Sequence, residues 1–243
     1  MSESTAKVKG VADIVFLMDV TGSMQSCIDA LKANLSSFVD TLSSTNANNG
    51  SPIKDWRAKV VGYRDFEDDA ATAIEDHPFV RDTAALRAQL DSLQATGGGD
   101  EPESLLDAMY LVAGMEATAD APGVEEEGKW RHKHQARRVV VIFTDAPFKA
   151  TMALPGHAGG TFEDVKNLVH ANKVIISLYA PQMDCYDETL AALDKAEYNA
   201  IDIKSGESAQ DALARFTADR ENFRKTLEQL AKSVSKSASV AIL

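Results

Sequence analysis

Apolar positions along this chain fall into two kinds of block, short unbroken runs and longer stretches that recur at helical spacing. Residues 14–18 (IVFLM) are an unbroken run, short enough to be a strand buried on both faces. Behind them Met24, Ile28, Leu31, Leu35, Phe38 and Leu42 recur at intervals of four and three, one face of a long amphipathic helix. Residues 56–63 read as a second strand, and Arg57 and Lys59 suggest that one end of it is near solvent. Residues 78–81 form a short third, whose proline suits an edge position. Asp82 is placed to cap a helix bearing Leu86, Leu90 and Leu93, and the next helix carries Leu105, Leu106, Met109, Val112 and Ala113. Residues 139–143 (VVVIF) then give a second fully buried strand, running to Thr144.

The alternation continues. Thr161 and Asp164 form a capping pair for a helix with Phe162, Val165, Leu168 and Val169, and residues 174–179 follow as a strand. Leu190 and Leu193 mark a further helix, and residues 200–203 a last short strand. From Ala209 onward Leu213, Phe216, Phe223, Leu227, Leu230 and Val234 stand at helical spacing. With about six strands and six helices in turn, the pattern predicts an α/β fold: a Rossmann-like, doubly wound, mostly parallel six-stranded sheet with helices on both faces. Residues 11–234 are expected to form one domain, with a core over 11–203 and a helical C-terminal part over 209–234. Residues 1–10 and 235–243 are expected to be tails, the second ending in apolar VAIL.

Composition narrows the function classes. The 243 residues carry 25 basic and 37 acidic side chains, a net charge of −12, which argues against a nucleic-acid or anionic-membrane binder. No apolar run approaches the roughly 20 residues of a membrane span, and the polar opening MSESTAKVKG does not read as a signal peptide. Cys27 and Cys185 have no CxxC partner, which fits a reduced, cytoplasmic setting. Residues 119–138, acidic at Glu125 to Glu127 and basic from Lys129 onward, read as a self-compensating solvated loop. Residues 64–69 (RDFEDD) read the same way, or as a rim that attracts a cation or a basic partner.

The chemistry gathers where buried strands end. Asp19, Thr21 and Ser23 lie on the turn from the first strand to the first helix, with Gly22 permitting the turn and Ser23 where an N-cap is wanted. One carboxylate and two hydroxyls offer three hard oxygens, as Mg²⁺ or Mn²⁺ requires, although the same residues are ordinary turn and cap residues. Residues 95–104 (ATGGGDEPES) add Asp100 and Glu103, and the buried strand before Asp145 brings that carboxylate to the same edge. So many acids at one edge need a compensating positive charge to remain ionised together.

DVTGS after one apolar strand and FTDAP after another resemble a von Willebrand factor type A domain, over about residues 11–203. The resemblance implies a metal-ion-dependent adhesion site with the motif Asp-x-Ser-x-Ser, here with Thr21 in place of the first serine. GGGDEPES is similar to the second loop of integrin β-subunits, which makes Glu103 a direct ligand and assigns Asp100 and the Pro102 carbonyl to a neighbouring cation site. The competing alignment places Asp100, or Thr96, in the position of the family's usual loop threonine. Gly98 replaces the asparagine expected in the neighbouring site, and Ser26 and Cys27 replace the acids of the further regulatory site. The implied metal set is Asp19, Thr21, Ser23, Asp145 and one of Glu103 or Asp100, with Mg²⁺ or Mn²⁺, or alternatively Ca²⁺. The implied partner is a protein that presents an Asp or Glu to the ion, and no catalytic residue is implied. A weaker likeness links the glycine-rich loop to type A domains associated with atypical kinases and AAA-type ATPases.

Enzymatic alternatives fit less well. A haloacid dehalogenase-type phosphohydrolase also places an aspartate after its first strand, but needs a carboxylate two residues later, where Thr21 stands. Gly97 to Gly99 lack a following Gly-Lys-Ser/Thr, and the acids beside them would repel phosphate. The five histidines show no zinc-ligand spacing, and Cys27 reads as an inert packed thiol.

Overall fold

The computed structural model describes residues 10–43, 53–67, 72–97 and 101–239. Its frame is a six-stranded sheet of order β3-β2-β1-β4-β5-β6, built from β1 (Val11–Asp19), β2 (Asp55–Tyr63), β3 (Ile74–Asp76), β4 (Arg137–Phe143), β5 (Val174–Pro181) and β6 (Ala196–Ile201). All neighbours pair in parallel except β3, which runs antiparallel to β2 at the edge. The helices are α1 (Gln25–Ser43), α2 (Thr83–Ser92), α3 (Leu105–Gly114), α4 (Phe162–Ala171), α5 (Asp184–Ala191), α6 (Ala209–Ala218) and α7 (Arg220–Ser239). The last of these continues beyond residue 234.

Side-chain alternation along the central strands divides the core into two layers. Ile14, Phe16 and Met18 of β1, with Val139, Val141 and Phe143 of β4, face the layer made by α1, α2, α6 and α7. Val15, Leu17, Val140 and Ile142 face α3, α4 and α5. Both faces are covered, which is why the central strands read as continuous apolar runs. The expected face of α1 is buried throughout, from Met24 to Leu42, and Phe38 meets Phe16 edge to face at 5.3 Å. Helical spacing after residue 209 resolves into two helices, with Leu213, Phe223, Leu227, Leu230 and Val234 in the same layer as α1.

Several elements differ from expectation. The expected strand at 78–81 is one bridge, Val80 to Ala58, and the regular edge strand lies just before it. Pro78 has no N–H to give, so the ladder along β2 is interrupted there. β6 begins at Ala196 rather than Ala200; Glu197 and the half-buried Asn199 hide it from an apolar-run reading, and only its pairing with β5 defines it. Asp82 caps α2 as expected, accepting from the Ala85 N–H at 2.9 Å. Thr161 N–H donates to Asp164 Oδ2 at 2.8 Å at the start of α4. The apolar tail residues 240–243 lie outside the described residues.

The largest correction concerns the basic stretches. Arg57 and Lys59 are buried rather than near solvent, and the 119–138 segment is not simply a solvated loop. Trp130 is 0% exposed, donates its indole N–H to Val112 O at 2.9 Å and packs against Phe79. Arg131 and Arg57 converge on buried Asp13, with Arg131 Nε at 2.7 Å and Arg57 Nε at 2.9 Å from Oδ1. Arg131 also pairs with Asp55, and the Arg57 guanidinium lies 4.3 Å from the centre of the Phe79 ring. The loop therefore closes the end of the sheet where β1 begins, and its arginines are used internally.

Candidate metal centre

Parallel strands β1 and β4 end at one edge of the sheet, and there the strand order reverses: β2 and β3 lie on one side, β5 and β6 on the other. Connections leaving in opposite directions open a crevice at such a point. Asp19 is the last residue of β1, and Asp145 lies just beyond β4.

The turn after β1 is a short 3₁₀ turn, Gly22–Met24, so Ser23 lies within it rather than capping α1. Backbone bonds hold the turn from both sides: Val20 N–H to Tyr63 O at 2.9 Å, Thr96 N–H to Val20 O at 3.0 Å, and Gly22 N–H to Gly97 O at 3.3 Å. Asp19 is buried, and both of its oxygens are held. Oδ1 accepts from the Thr21 N–H at 2.9 Å and the Thr21 hydroxyl at 2.7 Å, while Oδ2 accepts from the Thr144 hydroxyl at 2.9 Å. Because Thr21 spends its hydroxyl proton on Asp19, its lone pairs remain to accept. Ser23 is half-buried, with Oγ 3.5 Å from Thr21 Oγ1.

Glu103 reaches this edge through a parallel bridge to Phe148: its N–H donates to Pro147 O at 2.8 Å, and its carbonyl accepts from Lys149 N–H at 2.9 Å. That bridge ties the loop before α3 to the loop after β4. Glu103 is 5% exposed, and among the described residues Glu103 Oε2 and Asp145 Oδ2 are buried oxygens with no hydrogen-bond partner. Asp100, the competing candidate, lies outside the described residues.

Electrostatics follow from this crowding. Burial first, and then the charges of Asp19, Asp65 and Asp145, push Glu103 up to about 8. Burial raises Asp19 to about 6, with Asp145 adding to the rise against the lowering hydrogen bonds of Thr21 and Thr144. Asp145 is raised too, chiefly by burial, while the Ser23 hydroxyl works the other way. A buried carboxylate oxygen with no donor is costly to leave bare. Hard carboxylate and hydroxyl oxygens with two such atoms among them fit a divalent cation of the Mg²⁺ class.

Sequence reasoning missed the second rank of this site. Asp65, read as part of a solvated turn, is 0% exposed and accepts from Lys149 Nζ at 2.6 Å and from Ser104 Oγ at 3.2 Å. Arg64 is buried as well, donating to the carbonyls of Thr72, Gln94 and Thr96. Lys149 also reaches Glu67 at 2.5 Å, while Asp68 and Asp69 lie outside the described residues. The adjacency of Thr144 to Asp145 was the available signal for Thr144; nothing local marked Lys149. Both cysteines are free thiols, and burial pushes the Cys27 thiol far up, consistent with an inert side chain.

Residues 13–121 match the von Willebrand factor A domain. The sheet order and its one antiparallel edge are consistent with the Rossmann-like α/β fold of a type A domain. A relative from Dictyostelium discoideum, alpha-protein kinase vwkA, is 27% identical over 139 residues, which cover 57% of this chain and 19% of the kinase. The chain thus spans about a fifth of that relative's length. Among solved structures, proximal thread matrix protein 1 of the mussel byssus has a TM-score of 0.48 at 14% identity, covering 91% of this chain and 47% of that one. The pilus adhesin SpaC of Lactobacillus rhamnosus GG, in an open conformation, has a TM-score of 0.48 at 13% identity, covering 92% of this chain and 31% of that one. Among the described residues no helix is long and apolar enough to cross a membrane.

Proposed function

We propose that this chain is a divalent-metal-dependent protein-interaction module, without catalytic activity of its own, acting in cytoplasmic signalling or complex assembly. The observation that carries the reading is the pair of bare, buried oxygens, Glu103 Oε2 and Asp145 Oδ2, at the edge that also holds Asp19, Thr21 and Ser23. These five residues would hold Mg²⁺ or Mn²⁺, with Ca²⁺ as an alternative and Asp100 as the alternative to Glu103. When bound, the ion offsets the carboxylate charge and accepts a carboxylate from another protein in the coordination that the chain leaves open. Asp19 orients Thr21 through its hydroxyl proton, and Asp145 and Glu103 supply negative charge from the two flanking loops. Ser23, half-exposed, stands on the partner side.

A net charge of −12 favours a bridging cation where an acidic partner surface has to approach. The match to part of a kinase-named protein supports a narrower form of the reading, in which the module recruits a substrate to a kinase. The test is a pull-down from cytosol with Mg²⁺ or with EDTA, using the native chain and Ser23→Ala. Partners should be retained only by the native chain with metal. Equal retention in all arms would remove this edge as the binding surface.

A further inference from the structure

The 119–138 segment contains a second cluster of ligating side chains, remote from the Asp19 edge. His132 Nδ1 lies 3.1 Å from Asp120 Oδ1, and His134 Nδ1 lies 2.9 Å from Asp120 Oδ2. One ligand atom from each of the three residues can be chosen so that all lie within 4.8 Å of one another. The imidazole rings are 4.7 Å apart and nearly perpendicular, so both present a nitrogen to the same carboxylate without stacking.

We propose that Asp120, His132 and His134 form a Zn²⁺ site that clips this loop. Ligands about 2.0–2.1 Å from a tetrahedral ion stand about 3.3 Å from one another, close to both separations seen here. Nδ1 of His134 needs either a proton or a metal between itself and the carboxylate, and Nδ1 of His132 has a lone pair to offer, since it accepts from the His134 N–H at 3.5 Å. The backbone is already fixed around them. Trp130 N–H donates to Glu116 O at 2.9 Å, Thr118 N–H to Trp130 O at 2.8 Å, and Gln135 Nε2 to Ala121 O at 2.8 Å. Two stretches of one loop thus present a ready three-ligand set, anchored by a fully buried tryptophan.

The donor set decides the ion. Imidazole nitrogen with carboxylate suits Zn²⁺ and disfavours Mg²⁺, which takes oxygen. Two histidines and a carboxylate also serve iron oxygenases, but here the His134 and Asp120 side chains are 57% and 47% exposed, and an oxygen-activating centre would have no shielding. A clip is the use that suits an open surface site. It would join Asp120 to the stretch before β4 that carries Arg131, whose guanidinium completes the buried pair with Asp13. Asp13 and Asp19 lie near opposite ends of β1, roughly 20 Å apart at the rise of an extended strand, so the site is independent of the metal edge proposed above.

Calorimetric titration of Zn²⁺ in saturating Mg²⁺ tests this. The native chain and Asp19→Ala should each take up a single equivalent of zinc, with a rise in melting temperature. The double variant His132→Ala/His134→Ala should lose that equivalent, and Co²⁺ should give a tetrahedral visible band only where both histidines remain. Asp120→Asn, which keeps the side-chain shape, should weaken zinc binding even if the double variant misfolds. An unchanged equivalent in Asp120→Asn or in a folded double variant would overturn the site, and so would a native chain that takes up no zinc.

Discussion

Thr144 Oγ1 lies 2.9 Å from Asp19 Oδ2 and donates to it, joining the end of β4 to the end of β1 through one hydroxyl. With Thr21 on the other oxygen, Asp19 has little freedom to turn. Thr144→Val removes the donor and leaves that oxygen bare. The expected loss is about 1.5–3 kcal/mol, the usual worth of a hydrogen bond to a charged group. Urea unfolding at neutral pH checks it; a variant as stable as the native chain would show that Oδ2 finds another donor.

Metal should act on stability through the same residue. Binding to the folded chain alone stabilises it by RT ln(1 + [L]/Kd), about 2.7 kcal/mol at one hundred times Kd. Melting temperature is expected to rise with Mg²⁺ or Mn²⁺ in the native chain and to stay constant in Asp19→Ala. If Asp19→Ala keeps the full response, Asp19 is not a ligand or orienting group for the ion.

pH should move the metal-free protein in a definite direction. Folding raises Asp19 to about 6 and Glu103 to about 8, so the folded chain holds these protons more tightly than the unfolded one. Their contribution to stability is complete below about pH 4, near the unfolded values, and is lost as pH rises through each folded value. Melts in chelator should therefore show native stability falling relative to Glu103→Gln between roughly pH 5 and 8. Parallel curves for the two proteins would contradict the assignment.

At the other end of β1, Asp13→Ala would strand Arg57 and Arg131 together in the interior. Breaking a buried pair from one side costs about 3–5 kcal/mol. The expected result is a large drop in denaturation midpoint with the metal response intact in the fraction that folds. A drop under about 1 kcal/mol, the scale of a surface pair, would mean that solvent reaches the arginines.

Much of this protein was legible in the order of its residues. Apolar runs marked β1 and β4, because a strand covered on both faces must be apolar at every position. The spacing of Ile28, Leu31, Leu35 and Phe38 marked the buried face of α1, because helical period alone puts them on one side. Asp19, Thr21, Ser23, Asp145 and the pair Asp100 and Glu103 were nameable as a group because loops at the carboxyl ends of parallel strands share an edge. Tertiary structure alone decided what surrounds them. Nothing in the local pattern tells whether a charged side chain has a partner across the fold. Arg57, Arg131 and Asp65 therefore read as surface charges until the folded chain brought Asp13 between two arginines and Lys149 onto Asp65. The same holds for His132, His134 and Asp120: their spacing in sequence carries no ligand signature, and only the folding of the loop, with Trp130 buried beside His132, brings them together.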